Sequence, residues 1–294
     1  MRKLFLALFM MSLLVNSAMA ASNFEQFVFS DSGSDSGSDS NISFEYSLFV
    51  PENSSAKFPL LIYIPDASAA GKSAREIVEN YYGASVWITS EEQSKHPAFV
   101  LVPAFCRKNV ANDSSPLAKS VVDDNWNVDP QVDALMKLVS ELVEKFPIDA
   151  NRIYTTGQSM GCMSSLYLNS KYPDFFAASM YVSGQWDISV LGNMTRQKFF
   201  YITAGGDQKA SAGQDEVIAM LEKAHVNYSY VTLNAKHPNI AAIYEQIARE
   251  LGANMIRFET GSVLKAGDRS EHMASFDYAY KLAPVRDWLF RQSR

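Results

Sequence analysis

The chain has 294 residues, 47% of them hydrophobic and 20% charged, with a formal net charge of −6. That is enough apolar material for a sizeable core, and an acidic balance without any Lys/Arg cluster excludes a nucleic-acid binder, whose phosphate contacts need concentrated positive charge. Two cysteines exclude a disulfide scaffold or a Cys-rich zinc module, and four histidines leave few candidate bases to weigh.

Arg2 and Lys3 open the chain and an apolar run follows from Leu4 to Val15. Ala18-Met19-Ala20 then gives the small-x-small pattern that a signal peptidase cuts after. The run is shorter than the roughly 20 residues that a bilayer span needs. Residues 1–20 therefore read as a signal peptide, and the mature chain begins at Ala21. Losing Arg2 and Lys3 takes the charge from −6 to −8. No cysteine directly follows the cleavage site and no later stretch is apolar enough to cross a membrane, so no membrane anchor is expected. The product is an exported protein, periplasmic or extracellular.

Residues 21–41 read as an N-terminal strand and a flexible loop. Phe24 to Phe29 alternates apolar and polar residues, as does Ile42 to Val50, which predicts two strands with one buried face each. Between them Ser30 to Ser40 is a run of Ser, Asp and Gly with nothing to bury. The spacing of Asp31, Asp35 and Asp39 matches no calcium-ligand loop.

From Pro59 onward short, continuously apolar runs alternate with amphipathic stretches. The runs are Leu60–Ile64, Phe99–Val102, Ile153–Thr156, Ala178–Val182, Phe199–Thr203 and Tyr228–Leu233. Strands apolar on both faces belong to a sheet covered by helices on both sides. Val132, Leu135, Met136, Val139, Leu142, Val143 and Phe146 share one helical face, and Pro147 ends it. Further helices are expected near Asp215–His225, Ile240–Leu251 and Val285–Gln292. The prediction is an α/β fold, with a mostly parallel central sheet, an antiparallel N-terminal hairpin at one edge and residues 42–294 as one catalytic domain.

Gly157-Gln158-Ser159-Met160-Gly161 is a G-x-S-x-G motif between a predicted strand, Arg152–Thr156, and a helical segment, Met160–Asn169. A plain glycine-rich turn is the bland reading. The strand–turn–helix context favours a nucleophile elbow, with Ser159 at the C-terminal edge of the sheet and the Met160 N–H facing a developing oxyanion. A serine needs a base and a third group that orients the base. On an α/β sheet with such an elbow the order is Ser, acid, His, which removes His96. His225 ends a predicted helix, where a cation suits the dipole. His237 and His272 remain. Asp207 follows the strand two places beyond the elbow, after Gly205-Gly206, and is the expected acid; Asp187 and Asp215 are the alternatives.

These features together resemble a secreted α/β-hydrolase of the esterase and prolyl-oligopeptidase-like serine hydrolase type, similar to feruloyl-esterase-like and polyhydroxybutyrate-depolymerase-like enzymes. The resemblance runs from about residue 42 to the C-terminus. Its most specific stretch is Asp149 to Gly161, supported by Lys171-Tyr172-Pro173-Asp174 and by the closing Asp287-Trp288-Leu289-Phe290. In such enzymes the base comes shortly before a closing helix with a Trp-Leu pair, which favours His272. The resemblance implies cleavage of carboxylic esters, small or polymer-linked, without a cofactor or metal. A peptidase of the same fold is the runner-up, then an acyltransferase, and a non-catalytic binding protein is the reading from another class.

Two departures from the family pattern stand out. A His-Gly-type turn usually follows the first core strand and supplies the second oxyanion N–H; here the place reads Pro65-Asp66-Ala67-Ser68. Ala67 can still donate, but Asp66 puts a carboxylate beside it. About forty residues also separate Leu233 from His272, where a short loop is usual. Cys106 and Cys162 both map to the catalytic edge, which allows a disulfide or two separate buried thiols. Trp126, Gln185 and Trp186 map to the same edge as candidate pocket walls.

Overall fold

The computed structural model describes residues 24–31, 42–52, 56–107, 115 and 118–294. The expected signal peptide, residues 1–20, and most of the Ser/Asp/Gly run lie outside these residues. Among the described residues nine strands form one sheet in the order β1-β2-β4-β3-β5-β6-β7-β9-β8. They are β1 (Phe24–Asp31), β2 (Ile42–Phe49), β3 (Phe58–Ile64), β4 (Phe99–Ala104), β5 (Ile148–Gln158), β6 (Ala178–Val182), β7 (Phe199–Ala204), β8 (Tyr228–Leu233) and β9 (Ala253–Phe258). β1 pairs with β2 and β2 with β4 in antiparallel register, with Phe24 opposite Phe49 and Phe29 opposite Phe44. All remaining pairings are parallel. This is the α/β-hydrolase architecture expected from the sequence, hairpin included.

The apolar runs work by alternation. Leu61 and Tyr63 of β3, Val100 and Val102 of β4 and Phe200 and Ile202 of β7 enter one core. Leu60, Ile62 and Ile64, Phe99 and Leu101, and Phe199 and Tyr201 enter the other. Each face is then covered by helices whose apolar stripes meet it. The first face takes α1 (Ala74–Asn80), α2 (Tyr82–Ser85), α7 (Ile240–Ile247), α8 (Glu271–Tyr280) and α9 (Ala283–Phe290); α3 (Ser90–Lys95) lies at its margin. The second takes α4 (Pro130–Lys145), α5 (Met160–Lys171) and α6 (Gln208–Lys223). Asp129 caps α4, with Pro130 in the first turn, so this helix starts where its apolar stripe does.

Several features differ from the sequence reading. The strand β9 is not visible as an apolar run, because Asn254 and Arg257 interrupt Ala253–Phe258. Both are satisfied by tertiary partners. Asn254 donates to the carbonyls of Phe199, Leu251 and Gly252, and Arg257 pairs with Asp215 at 2.6 Å. β9 lies between β7 and β8, so Tyr228–Leu233 is the sheet edge and not the last strand before the base. The long stretch between Leu233 and His272 thus holds a helix and a core strand. Lastly, α6 begins at Gln208, seven residues earlier than expected, capped by Asp207.

Near the start of β4, α3 and α9 are joined by a buried ion pair. Arg286 donates through Nε and Nη2 to Glu92 Oε2, both at 3.0 Å, with side chains only 9% and 3% exposed. Removing one partner strands the other charge out of water. Arg286→Ala is expected to lower unfolding stability by about 3–5 kcal/mol. Urea denaturation of the variant beside a Glu92→Leu/Arg286→Leu double variant checks this, and the double variant should lose much less.

Candidate active site

β5 runs into Ser159, whose φ of 51° and ψ of −117° hold the residue in a strained left-handed turn before α5 begins at Met160. The turn is tied to the neighbouring strand by the Ser159 N–H, which donates to the Val182 carbonyl at 3.0 Å. Gly157 and Gly161 are set by packing. A Cβ on Gly161 would overlap the Ile64 carbonyl of β3, and one on Gly157 would overlap the Gly161 backbone. Side chains there would push α5 off the sheet edge.

His272 stands between Ser159 and Asp207. Its Nε2 is 2.8 Å from Ser159 Oγ and its Nδ1 is 2.6 Å from Asp207 Oδ2. A carboxylate can only accept here, so it selects the tautomer with the proton on Nδ1 and leaves Nε2 to accept from the serine hydroxyl. Asp207 is buried at the cap of α6, where its other oxygen accepts from the Ala210 N–H at 3.3 Å. His272 occupies the second position of α8, a helix the sequence reading did not include.

The alternatives lie elsewhere. His237 is exposed in the turn after edge strand β8. His225 closes α6 with φ 56°. His96 is bonded through Nε2 to Asp287 at 2.8 Å and stacks on Phe290. Asp187 caps a short 3₁₀ segment and Asp215 pairs with Arg257.

Asp66 turns away from the serine. Its Oδ1 accepts from the Ser68 N–H at 2.8 Å and its Oδ2 from Gln158 Nε2 at 2.7 Å, so both oxygens are occupied in a buried position. In doing so it caps the short helix that Ala67 begins. Ala67 and Met160 each stand at the first position of a helix, where the N–H has no intrahelical acceptor, and both line the cleft at Ser159.

That cleft has a volume of about 550 Å³. Besides the residues above, its walls include Ser120, Asp123, Asp124, Gln185 and Lys209. Asp124 bridges two walls, pairing with Lys209 Nζ at 2.6 Å and accepting from Gln185 Nε2 at 3.1 Å. The expectation of two tryptophan walls needs correction. Gln185 lines the cleft, but Trp126 and Trp186 are not among its lining residues. Trp186 is buried against Tyr167 and Trp126, which makes it a packing residue. Lys209 lies two residues past Asp207 and was within reach of sequence reasoning. Asp123 and Asp124 carried no signal in the sequence.

A Cys106–Cys162 bridge is also corrected, since both thiols are free. Cys106 follows β4, while Cys162 packs beside Gly184, just beyond β6. Three strand spacings separate β4 from β6, about 14 Å at the usual interstrand distance. Burial pushes the Cys162 thiol far up, so it holds no thiolate. Among the described residues the group with metal-ligand proximity is Glu92, His96 and Asp287. Arg286 already neutralises Glu92, and His96 and Asp287 satisfy each other.

Two outcomes follow from this packing. Gly161→Ala should cost about 3 kcal/mol or more in urea denaturation, because a backbone carbonyl and not a flexible side chain must yield. A thiol-titrating dye should count two cysteines in denatured protein whether or not a reductant was present, and at most Cys106 in native protein.

The sequence matches the Esterase family over residues 45–243. No curated protein matches it. Among solved structures, a thermostable esterase aligns at 22% identity and a TM-score of 0.69, covering 94% of this chain and 64% of its own. This chain therefore spans less than two thirds of that esterase. A complex with sinapinate of a variant feruloyl esterase module from Clostridium thermocellum aligns at 11% identity and a TM-score of 0.59, covering 92% and 89%. A ferulic acid esterase aligns at 11% identity and a TM-score of 0.55, covering 90% and 99%. At these identities the likeness is one of fold, while the family match covers two thirds of the sequence: the chain belongs to the Esterase family.

Proposed function

We propose that this protein is an exported serine esterase that cleaves carboxylic esters through an acyl-enzyme on Ser159. The observation that carries the reading is the hydrogen-bonded line from Ser159 Oγ through His272 to Asp207, 2.8 and 2.6 Å per link. As Ser159 attacks the ester carbonyl, His272 Nε2 takes the hydroxyl proton and Asp207 stabilises the imidazolium. The negative charge on the tetrahedral intermediate falls between the Met160 and Ala67 N–H groups. His272 returns the proton to the leaving alcohol. Water then enters by the same route and gives its proton to His272 as it attacks the acyl carbonyl; the bond to Ser159 Oγ breaks, His272 returns the proton to that oxygen and the acid leaves. No step asks for a metal or cofactor.

Residues 1–20 act in this reading as the export signal, and the domain of residues 42–294 carries the activity. The polar walls contributed by Ser120, Asp124, Gln185 and Lys209 suit an ester with hydrogen-bonding groups near the scissile bond. The feruloyl esterase neighbours make hydroxycinnamoyl esters a sensible first series beside acetyl and butyryl p-nitrophenyl esters.

Turnover of a p-nitrophenyl ester should fall by about 10⁴- to 10⁶-fold in Ser159→Ala and His272→Ala, and by about 10⁴-fold in Asp207→Asn. A fluorophosphonate probe should label wild type and leave Ser159→Ala unlabelled. Probe labelling without ester turnover would favour the peptidase runner-up. Wild-type protein that neither labels nor turns over would overturn the reading in favour of a non-catalytic binding protein.

A further inference from the structure

Beside the proposed triad lies a second buried carboxylate that the mechanism does not use. Glu271 opens α8 immediately before His272 and is 9% exposed. Its Oε2 accepts from the Gly206 N–H at 2.9 Å, and its Oε1 from the Gly261 N–H at 2.7 Å. Gly206 is the residue before Asp207. Gly261 belongs to the turn that follows β9, where its φ is 81°. The same two turns meet through the Gly205 N–H, which donates to the Phe258 carbonyl at 2.8 Å. The fit is close, since a Cβ on Gly206 would overlap the Glu271 carboxylate.

A carboxylate in such a place is costly unless both oxygens accept hydrogen bonds, and here backbone N–H groups from two different turns do that work. The chain positions matter more than the energy. One tie holds the residue next to the acid, and the carboxylate itself belongs to the residue next to the base. The separation of Asp207 and His272 is therefore set by one side chain as well as by the fold. We infer that Glu271 is a positioning residue, holding the Asp207 turn and the start of α8 at the spacing that keeps the 2.6 Å Asp207–His272 hydrogen bond. A group held about 1 Å out of place can lose on the order of 10²-fold in rate.

Glutamine is the discriminating substitution. It keeps the size and one acceptor, but its NH₂ must face a backbone N–H, donor against donor. α8 remains anchored without Glu271, because Phe276, Ala279 and Tyr280 stay in the core. Ser275 also remains bonded to Ser183 at 2.7 Å.

The inference rests on the triad reading, and the test separates the two. Mature wild type, Ser159→Ala, Glu271→Gln and Glu271→Asp are compared for kcat, KM, thermal midpoint and the far-downfield proton resonance of the His272–Asp207 hydrogen bond. Glu271→Gln should lower kcat about 10- to 100-fold with KM within about twofold, and should shift or broaden the downfield proton while the protein stays folded. Glu271→Asp keeps the charge but cannot span both N–H groups, so it should fall between; it carries the test if Glu271→Gln does not fold. An unchanged downfield proton with kcat within about threefold of wild type would overturn the positioning role. So would a loss that merely tracks the folded fraction. Ser159→Ala with wild-type turnover would instead overturn the triad, and the proton resonance still reports on Glu271 without any substrate.

Discussion

Everything at the catalytic edge depends on how closely α5 crosses the end of β3. The Ile64 carbonyl lies against Gly161, and the backbone of Gly161 lies against Gly157, with no room for a side chain at either position. Only because the helix sits that near can the chain reverse within one residue, at the cost of a left-handed φ at Ser159. The reversal points the serine away from the core. It also places the first residue of α5 at the wall of the cleft that Ala67 lines. One steric fact thus serves two ends: exposure of the hydroxyl and direction of the helix.

The polar groups around this crossing are arranged so that few carboxylate oxygens are idle. Asp66 is held through both oxygens, by the Ser68 N–H and the Gln158 amide. Asp207 divides its oxygens between a helix cap and His272. Glu271 divides its own between two turns. Backbone N–H groups at the sheet edge are the common acceptor-seekers, and the acids that satisfy them are the same acids that shape the site.

The parts of this design that are local in the chain were readable from it. The G-x-S-x-G motif, the buried strands and the amphipathic α4 each show as a pattern in one short stretch of chain, although the contact that fixes the serine turn comes from β3. Asp207 was legible because a glycine pair follows an apolar strand. What escaped was stabilised from a distance. β9 tolerates Asn254 and Arg257 because carbonyls of the loop before it and of β7, and the carboxylate of Asp215, meet them. The start of α8 is set by contacts of Glu271 with turns that no periodicity describes. The cleft walls at Asp123 and Asp124 come from a loop with no pattern of its own. Trp186 misled for the opposite reason: its position at the right edge was correct, but its ring is consumed by Tyr167 and Trp126.

The placement of β9 between β7 and β8 bears on the order in which the molecule is completed. β7, which delivers Asp207, gains its outer neighbour only from residues Ala253–Phe258, and the imidazole follows them in the chain. A growing chain that has already made Ser159 and Asp207 holds neither the strand that seals β7 nor the imidazole that bonds to both residues. The line from Ser159 through His272 to Asp207 therefore closes only once β9 has been made, and a nascent chain that stops short of β9 holds two of its three residues and an unsealed β7.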